Sequence, residues 1–155
     1  MKNVATLQRD AAKSGLPDHS VDIIVTDAFL TRFLPADRPR ILDEWTRILR
    51  LNGVVITTIR IGTGSDMVRA SEDQVQAYVE DVKRAQKGNH AISLDDTVIG
   101  TLAEEYVRRM VSHPFKGEDE IRKLFAGYTT TITIVDTKGE TQPTKYAEVV
   151  AVKKA

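Results

Sequence analysis

Cysteine is absent from these 155 residues. That excludes disulfides, thiolate metal sites and cysteine nucleophiles, and it fits a reducing compartment. An excess of either charge is absent too. The 22 Lys and Arg balance the 22 Asp and Glu, so no global field directs the chain toward nucleic acid or an anionic membrane. No apolar stretch approaches the roughly 20 residues a membrane helix needs, and Met1 to Thr6 lack the apolar core and cleavage pattern of a secretory signal. A cytoplasmic protein is expected, with neither nucleic acid nor membrane indicated as partner. Histidine is scarce: His19, His90 and His113 do not stand at metal-ligand spacing with carboxylates, so no metal site is expected and all three read as structural or solvated. There is no nucleophile elbow, and Gly62-Thr63-Gly64 is no phosphate loop because no Gly-Lys-Ser/Thr follows.

What is present is ordinary globular material, 41% hydrophobic and 28% charged, long enough for one domain with a real core. Repeats, low-complexity tracts and linkers are not seen. A polar connection with Gly15 and Pro17 as breakers leads into Val21-Asp22-Ile23-Ile24-Val25, which is apolar on both faces after Asp22 and reads as a strand buried on both sides. Ala36 to Arg50 is the clearest helix, with Ile41, Leu42, Trp45, Ile48 and Leu49 on one face. Asp37 is placed to cap it and Pro39 suits its first turn. Asn52-Gly53 supplies a left-handed turn to end it, and Val54 to Ile59 follows as a second buried strand. Strand, helix, strand with short joints is a βαβ unit.

Beyond the Gly62–Asp66 loop, Ser71-Glu72-Asp73-Gln74 has capping-box form, and Val75, Tyr78, Val79 and Val82 stripe the next helix. Gly88-Asn89 stops it. Another helix opens at Ser93-Leu94-Asp95-Asp96, striped by Ile99, Leu102, Ala103, Tyr106 and Met110, with Glu104/Arg108 and Glu105/Arg109 as solvated pairs. A short helix begins at Glu118-Asp119-Glu120 and buries Ile121, Leu124 and Phe125. Tyr128 to Val135 and Tyr146 to Val152 read as a terminal antiparallel pair around the turn cluster Asp136 to Glu140.

The order of these features resembles the later half of a class I S-adenosylmethionine (SAM)-dependent methyltransferase. The residues that carry the likeness are Asp10-Ala11, Leu16-Pro17 and Ser20-Val21-Asp22 before the first strand. Leu49-Arg50-Leu51-Asn52-Gly53 follows the helix, where the family has Leu-x-Pro-Gly-Gly. Phe115, then Phe125-Ala126-Gly127-Tyr128, precede the closing hairpin. Leu51 replaces the family's Pro and Asn52 its first Gly. The resemblance implies an α/β fold, a truncated Rossmann-like methyltransferase sheet of parallel strands with a terminal antiparallel β-hairpin. It implies one partial domain over 1–155, with a helical insertion at about 66–113.

The same resemblance implies SAM as cofactor and a methyl acceptor, in the simplest case a small molecule. It assigns Asp10 and Ala11 to adenine, and Ala28 and Phe29 to the wall of the transfer site, with Phe29 read first as packing. Asp27 is the catalytic candidate, as base or substrate contact at the strand end where ligands of α/β sheets collect. The family's glycine-rich loop and ribose-binding acid belong ahead of Val4 and are not seen. Ile59 to Gly64 does not replace them, because Met67 stands at the third glycine position and the next helix waits until Ser71. Two functions therefore stay open: a methyltransferase, or a truncated form of one, and a non-catalytic remnant acting as an interaction or oligomerisation module. Without the preceding strands Val21 to Val25 has an unpaired edge, expected to be covered by Val4 to Leu7 or, preferably, by a second copy in a homodimer.

Overall fold

Trp45 and its neighbours on one helix face decide which side of the sheet is buried. In the computed structural model, which describes residues 5–62, 68–87, 95–137 and 144–154, β1 (Val21–Thr26) runs through a short 3-10 turn, Leu30–Arg32, into α1 (Arg38–Ile48). Strand β2 (Leu49–Ile61) starts at the next residue and pairs with β1 in parallel, Ile24 opposite Val55 and Val25 opposite Ile56. The expected βαβ unit is therefore present. Ile41, Leu42, Trp45, Ile48 and Leu49 are all buried, as their spacing requires.

Two local expectations are corrected. Asp37 stands at the N-cap with helical dihedrals and makes no side-chain capping bond, although Pro39 does occupy the first turn. The Asn52-Gly53 turn does not end the helix, because Leu49 is already extended. Instead Asn52 takes φ of 61° inside β2, where the register with β1 shifts. Gly53 is required there, since a Cβ would lie 2.9 Å from the Arg50 carbonyl oxygen and 3.2 Å from that of Asp22.

A two-residue strand, β3 (Val68–Arg69), precedes α2 (Glu72–Lys87) and α3 (Asp96–Arg109), and pairs with β4 (Val111–Ser112) beyond them. The capping box forms as read: Ser71 N–H donates to Gln74 Oε1 at 2.9 Å, and Gln74 N–H to Ser71 Oγ at 3.3 Å. The stripe on α3 is rotated from the expected one. Ile99, Gly100, Ala103 and Val107 are buried, whereas Leu102 and Tyr106 are exposed, Tyr106 stacking on Tyr78 of α2 at 6.1 Å. Asp95 caps α3 by accepting from Thr97 N–H at 2.8 Å. Thr63 to Asp66, Gly88-Asn89, His90, Ser93-Leu94 and Lys138 to Glu140 lie outside the described residues.

The short helix α4 (Glu118–Leu124) leads into β5 (Tyr128–Thr137) and β6 (Thr144–Lys153), an antiparallel pair as expected. β6 inserts between β2 and β5, giving the order β1-β2-β6-β5 with β6 antiparallel to β2. Helices α1 and α4 bury one face of this sheet. Trp45, Ile121 and Phe125 join Val55, Ile59, Ala147, Val149 and Ala151 in one core. Lys153 Nζ donates to the Thr46 and Leu49 carbonyls at 2.7 and 2.8 Å, satisfying acceptors at the end of α1. Among the described residues no helix is long and apolar enough to cross a membrane.

The expectation of strands buried on both faces fails. Along β1 and β2 only alternate residues are covered, and Ile23, Val25 and Ile56 remain 55%, 70% and 42% exposed. The sequence encodes a two-sided sheet, while the described chain supplies helices to one side. Among the described residues the outer edge of β1 is also unpaired. Of the Val4 to Leu7 segment, Val4 lies outside the described residues, and residues 5–7 form no strand and leave Leu7 exposed, so these three do not shield it.

The segment entering β1 is tied to α1 by one buried carboxylate. Glu44, 8% exposed, accepts from Ser14 N–H and Oγ at 2.8 and 2.6 Å and from Arg47 at 2.7 and 2.8 Å. Arg47 reaches on to Asp18 and the Leu16 carbonyl. The Arg47 bonds, then the Ser14 hydroxyl, hold the Glu44 carboxyl down to about 2 from its usual 4.5. A depressed folded value gives stability that is complete above the unfolded value and lost as pH falls through the folded one. The melting temperature should therefore drop between about pH 4.5 and 2. In Glu44→Gln, thermal melts followed by circular dichroism should show a flatter acid limb.

Candidate functional site

At the carboxyl ends of β1 and β2 a row of hydroxyls fixes an unusual turn. Thr26 Oγ1 donates to Thr57 Oγ1 at 2.8 Å. One residue further on, the Thr58 hydroxyl accepts the Ala28 N–H at 2.9 Å and donates to Asp27 Oδ1. The Ala28 carbonyl accepts from Thr31 Oγ1 at 2.6 Å. Ala28 is thus held at both its donor and its acceptor, and in that grip it takes φ of 46°, a region that disfavours a Cβ. Backbone strain maintained by surrounding bonds is a feature of functional turns. Asp27 is exposed and keeps Oδ2 without a partner among the described residues. The geometry offers an oriented carboxylate at the mouth of the sheet, able to accept a proton or a hydrogen bond.

Phe29 lies in the packing around this turn, edge-on to Phe33 at 4.9 Å and stacked on Trp45 at 6.1 Å. It holds the turn against α1. Asp10 forms a turn of its own: Oδ1 accepts from Ala12 N–H at 2.9 Å and its carbonyl from Lys13 N–H at 3.0 Å. Ala11 and Ala12 are half-buried against the core. Ser14 meets Glu44, and Asp18 meets Arg47 one turn further along α1. The segment therefore descends toward the amino ends of the strands, leaving Asp10 and Ala11 toward the end where Asp27 sits. No hydrogen bond joins the two groups.

Two residues escaped the sequence reading. Thr58 looks like any strand residue, and its only signal is its place one step beyond the position opposite Thr26. Arg38 is 1% exposed, with its guanidinium 3.8 Å from the centre of the Phe115 ring. It donates to Glu120 at 2.9 Å and to the His113 carbonyl. Burial lowers its pKa, against the opposing pull of Glu120. No periodicity marks an arginine for burial. Arg38 and Phe115 help to line a cavity of about 390 Å³ between α1 and α4. A second, about 320 Å³, lies between Arg32 and the Leu102, Tyr106 and Met110 face of α3. None of Asp10, Ala11, Asp27, Ala28 or Phe29 lines either one. Among the described residues no cluster of three or more His, Asp or Glu is placed to hold a metal ion.

His19 serves the scaffold. It adopts φ of 53°, its Nδ1 lies 3.0 Å from the Leu49 carbonyl, and its own carbonyl accepts from Arg50 Nε.

Residues 1–57 match the model of the family described as a methyltransferase domain. That stretch contains the resembling residues from Asp10 to Gly53, and not Phe115 or Phe125 to Tyr128. Among solved structures, a SAM-dependent methyltransferase from Methanosarcina mazei is similar with a TM-score of 0.56 at 18% identity, over 94% of this chain and 65% of that one. The PH0226 protein from Pyrococcus horikoshii OT3 gives 0.55 at 15% identity, over 98% and 60%. A phosphoethanolamine N-methyltransferase from Haemonchus contortus, solved with phosphomonomethylethanolamine and S-adenosylhomocysteine, gives 0.52 at 12% identity, over 94% and 36%. No curated protein matches. The chain spans less than two thirds of the length of these structures. The likeness to these structures shows the fold, a mixed α/β sheet.

The strained turn makes its own prediction. Thr58→Val leaves the Ala28 N–H without its acceptor and should cost about 1–3 kcal/mol, with Thr58→Ser restoring most of it. Ala28→Gly should instead raise stability by about 1 kcal/mol, because glycine carries no penalty at positive φ. Denaturant titrations of the three variants check this, and a destabilised Ala28→Gly would contradict the strain.

Proposed function

We propose, from the methyltransferase fold this chain carries, that it serves SAM-dependent methyl transfer, with Asp27 facing the acceptor and Asp10-Ala11 facing the adenine. The observation that supports this most directly is the turn Asp27-Ala28, held in a strained conformation at the carboxyl ends of two parallel strands, where ligands of open α/β sheets collect. The described residues fit one end of the cofactor. Asp10 keeps Oδ2 free, and the Ala11 N–H makes no hydrogen bond among the described residues. An acceptor beside a donor suits the exocyclic amine and adjacent ring nitrogen of adenine. A glycine cradle for the amino-acid end is not among the described residues.

SAM supplies an electrophilic methyl carbon on a sulfonium. The protein's part is position and proton handling, and holding reactants in line is worth a large share of such a barrier. Thr58 fixes one oxygen of Asp27, so the other points from a defined place. There it would accept a proton from a hydroxyl or amine of the methyl acceptor. The Ala28 N–H, engaged by Thr58, is not available as a donor to the substrate. Phe29, stacked on Trp45, keeps the wall of the turn apolar.

Titration calorimetry with S-adenosylhomocysteine tests the cofactor assignment. Binding with a dissociation constant on the order of 100 µM is expected, weakened at least about tenfold by Asp10→Ala, the loss of one charge-assisted hydrogen bond. Asp27→Asn should leave that affinity unchanged. Absence of heat at millimolar ligand would refute the assignment.

A further inference from the structure

The geometry points to a second copy of this chain as the cover of the open sheet face. On that face Ile23 and Val25 of β1 stand beside Val54 and Ile56 of β2, and these beside Val152 and Val150 of β6. Val25 is 70% and Val150 41% exposed, although the strands carry the apolar pattern of a sheet covered on both sides. A contiguous apolar patch rimmed by polar groups marks an interaction surface.

The rim supplies the reason for choosing a second copy. By the same register Arg60 and Glu148 project from this face at its upper margin, Arg60 opposite Tyr146 and Glu148 opposite Thr58. They are diagonal neighbours of opposite sign, and neither has an ion-pair partner among the described residues. A twofold interface is self-complementary, so a residue pair i–j recurs as j–i. With the axis running along the strands between β2 and β6, Ile56 of one copy meets Val150 of the other. Val54 meets Val152, and each Arg60 reaches the other copy's Glu148. β1 then faces the threonine-rich β5, where Thr129 and Thr131 lie level with Val152 and Val150. The arrangement is an aligned sheet-on-sheet sandwich, a packing that twisted sheets adopt readily. The face ends at Thr58, next to Asp27, so the second copy walls the candidate site on the side that α1 leaves open. This inference does not depend on cofactor binding.

Sedimentation velocity on the whole chain at micromolar concentration should show a dimer. Ile56→Lys, which places a charge at the centre of the face without touching the buried core, should give a monomer with an unchanged circular dichroism spectrum. Arg60→Glu and Glu148→Arg should each raise the dimer dissociation constant about tenfold or more, and the double reversal should restore it. A monomeric wild type, a dimer indifferent to Ile56→Lys, or charge reversals that fail to rescue each other would each overturn the proposal. The titration with S-adenosylhomocysteine reads a different site, so a failed dimer and a failed cofactor assignment remain separable.

Discussion

One-sided burial of the parallel pair β1–β2 is the constraint from which the rest of this structure follows. Helix α1 must reverse direction twice within a βαβ unit, and it does so with almost no connecting chain at its far end, Leu49 being both the residue after the helix and the first of β2. That economy forces Trp45, Ile41 and Leu42 onto the sheet and sets which face of β2 is buried. β6 and β5 then extend the same covered face with Ala147, Val149 and Ala151. Lys153 of β6 reaches back to the carbonyls at the end of α1. The antiparallel strand is thereby tied to the parallel unit by polar as well as apolar contact.

The polar ties follow the same logic. Glu44 is nearly buried, yet it is fully engaged by Ser14 and Arg47, so its desolvation is offset by charge-assisted bonds. Arg38 ties the other end of α1 to Glu120, Phe115 and the His113 carbonyl, although burial outweighs the pull of Glu120 on its pKa. Breaking one partner of such a pair leaves a buried charge and is far more damaging than the modest net value of the pair. Each end of α1 is thus locked to a segment distant in sequence, 10–19 at one end and 113–120 at the other. The later segment lies at the carboxyl ends of the strands, where Phe115 bridges Ile61, and the earlier one runs to their amino ends, where His19 meets the Leu49 carbonyl.

The helix α1, its parallel neighbours and the closing hairpin were legible because each depends on local periodicity, and the parallel register follows from the short joints between them. Asn52 was legible as a left-handed residue. Its place in the middle of a strand was not, because the register shift with β1 is a tertiary property. On α3 the expected Ile99 and Ala103 are buried, but Leu102 and Tyr106, which also satisfy helical spacing, stay exposed while Gly100 and Val107 are buried. Two equally apolar arcs on one helix cannot be ranked without knowing the partner. Asp27 was legible through its position after the strand, whereas Thr58, which holds it, was invisible because hydroxyl networks leave no pattern in sequence.

The largest divergence between sequence and structure concerns the open face, and it is informative for that reason. Isoleucine and valine at positions 23, 25, 54 and 56 are spaced as they are for strands covered on both sides, and the described chain covers one. A sequence that alternates correctly for a half-solvated sheet would place threonine or charge at these positions. β5 does so at Thr129, Thr131 and Thr133. The contrast lies within a single sheet: on this face the edge strand β5 carries threonine, while β1, β2 and the end of β6 carry valine and isoleucine. The open face grades from apolar at β1 to polar at β5. The proposed twofold contact centred between β2 and β6 would set each copy's apolar half against the threonine methyls of the other.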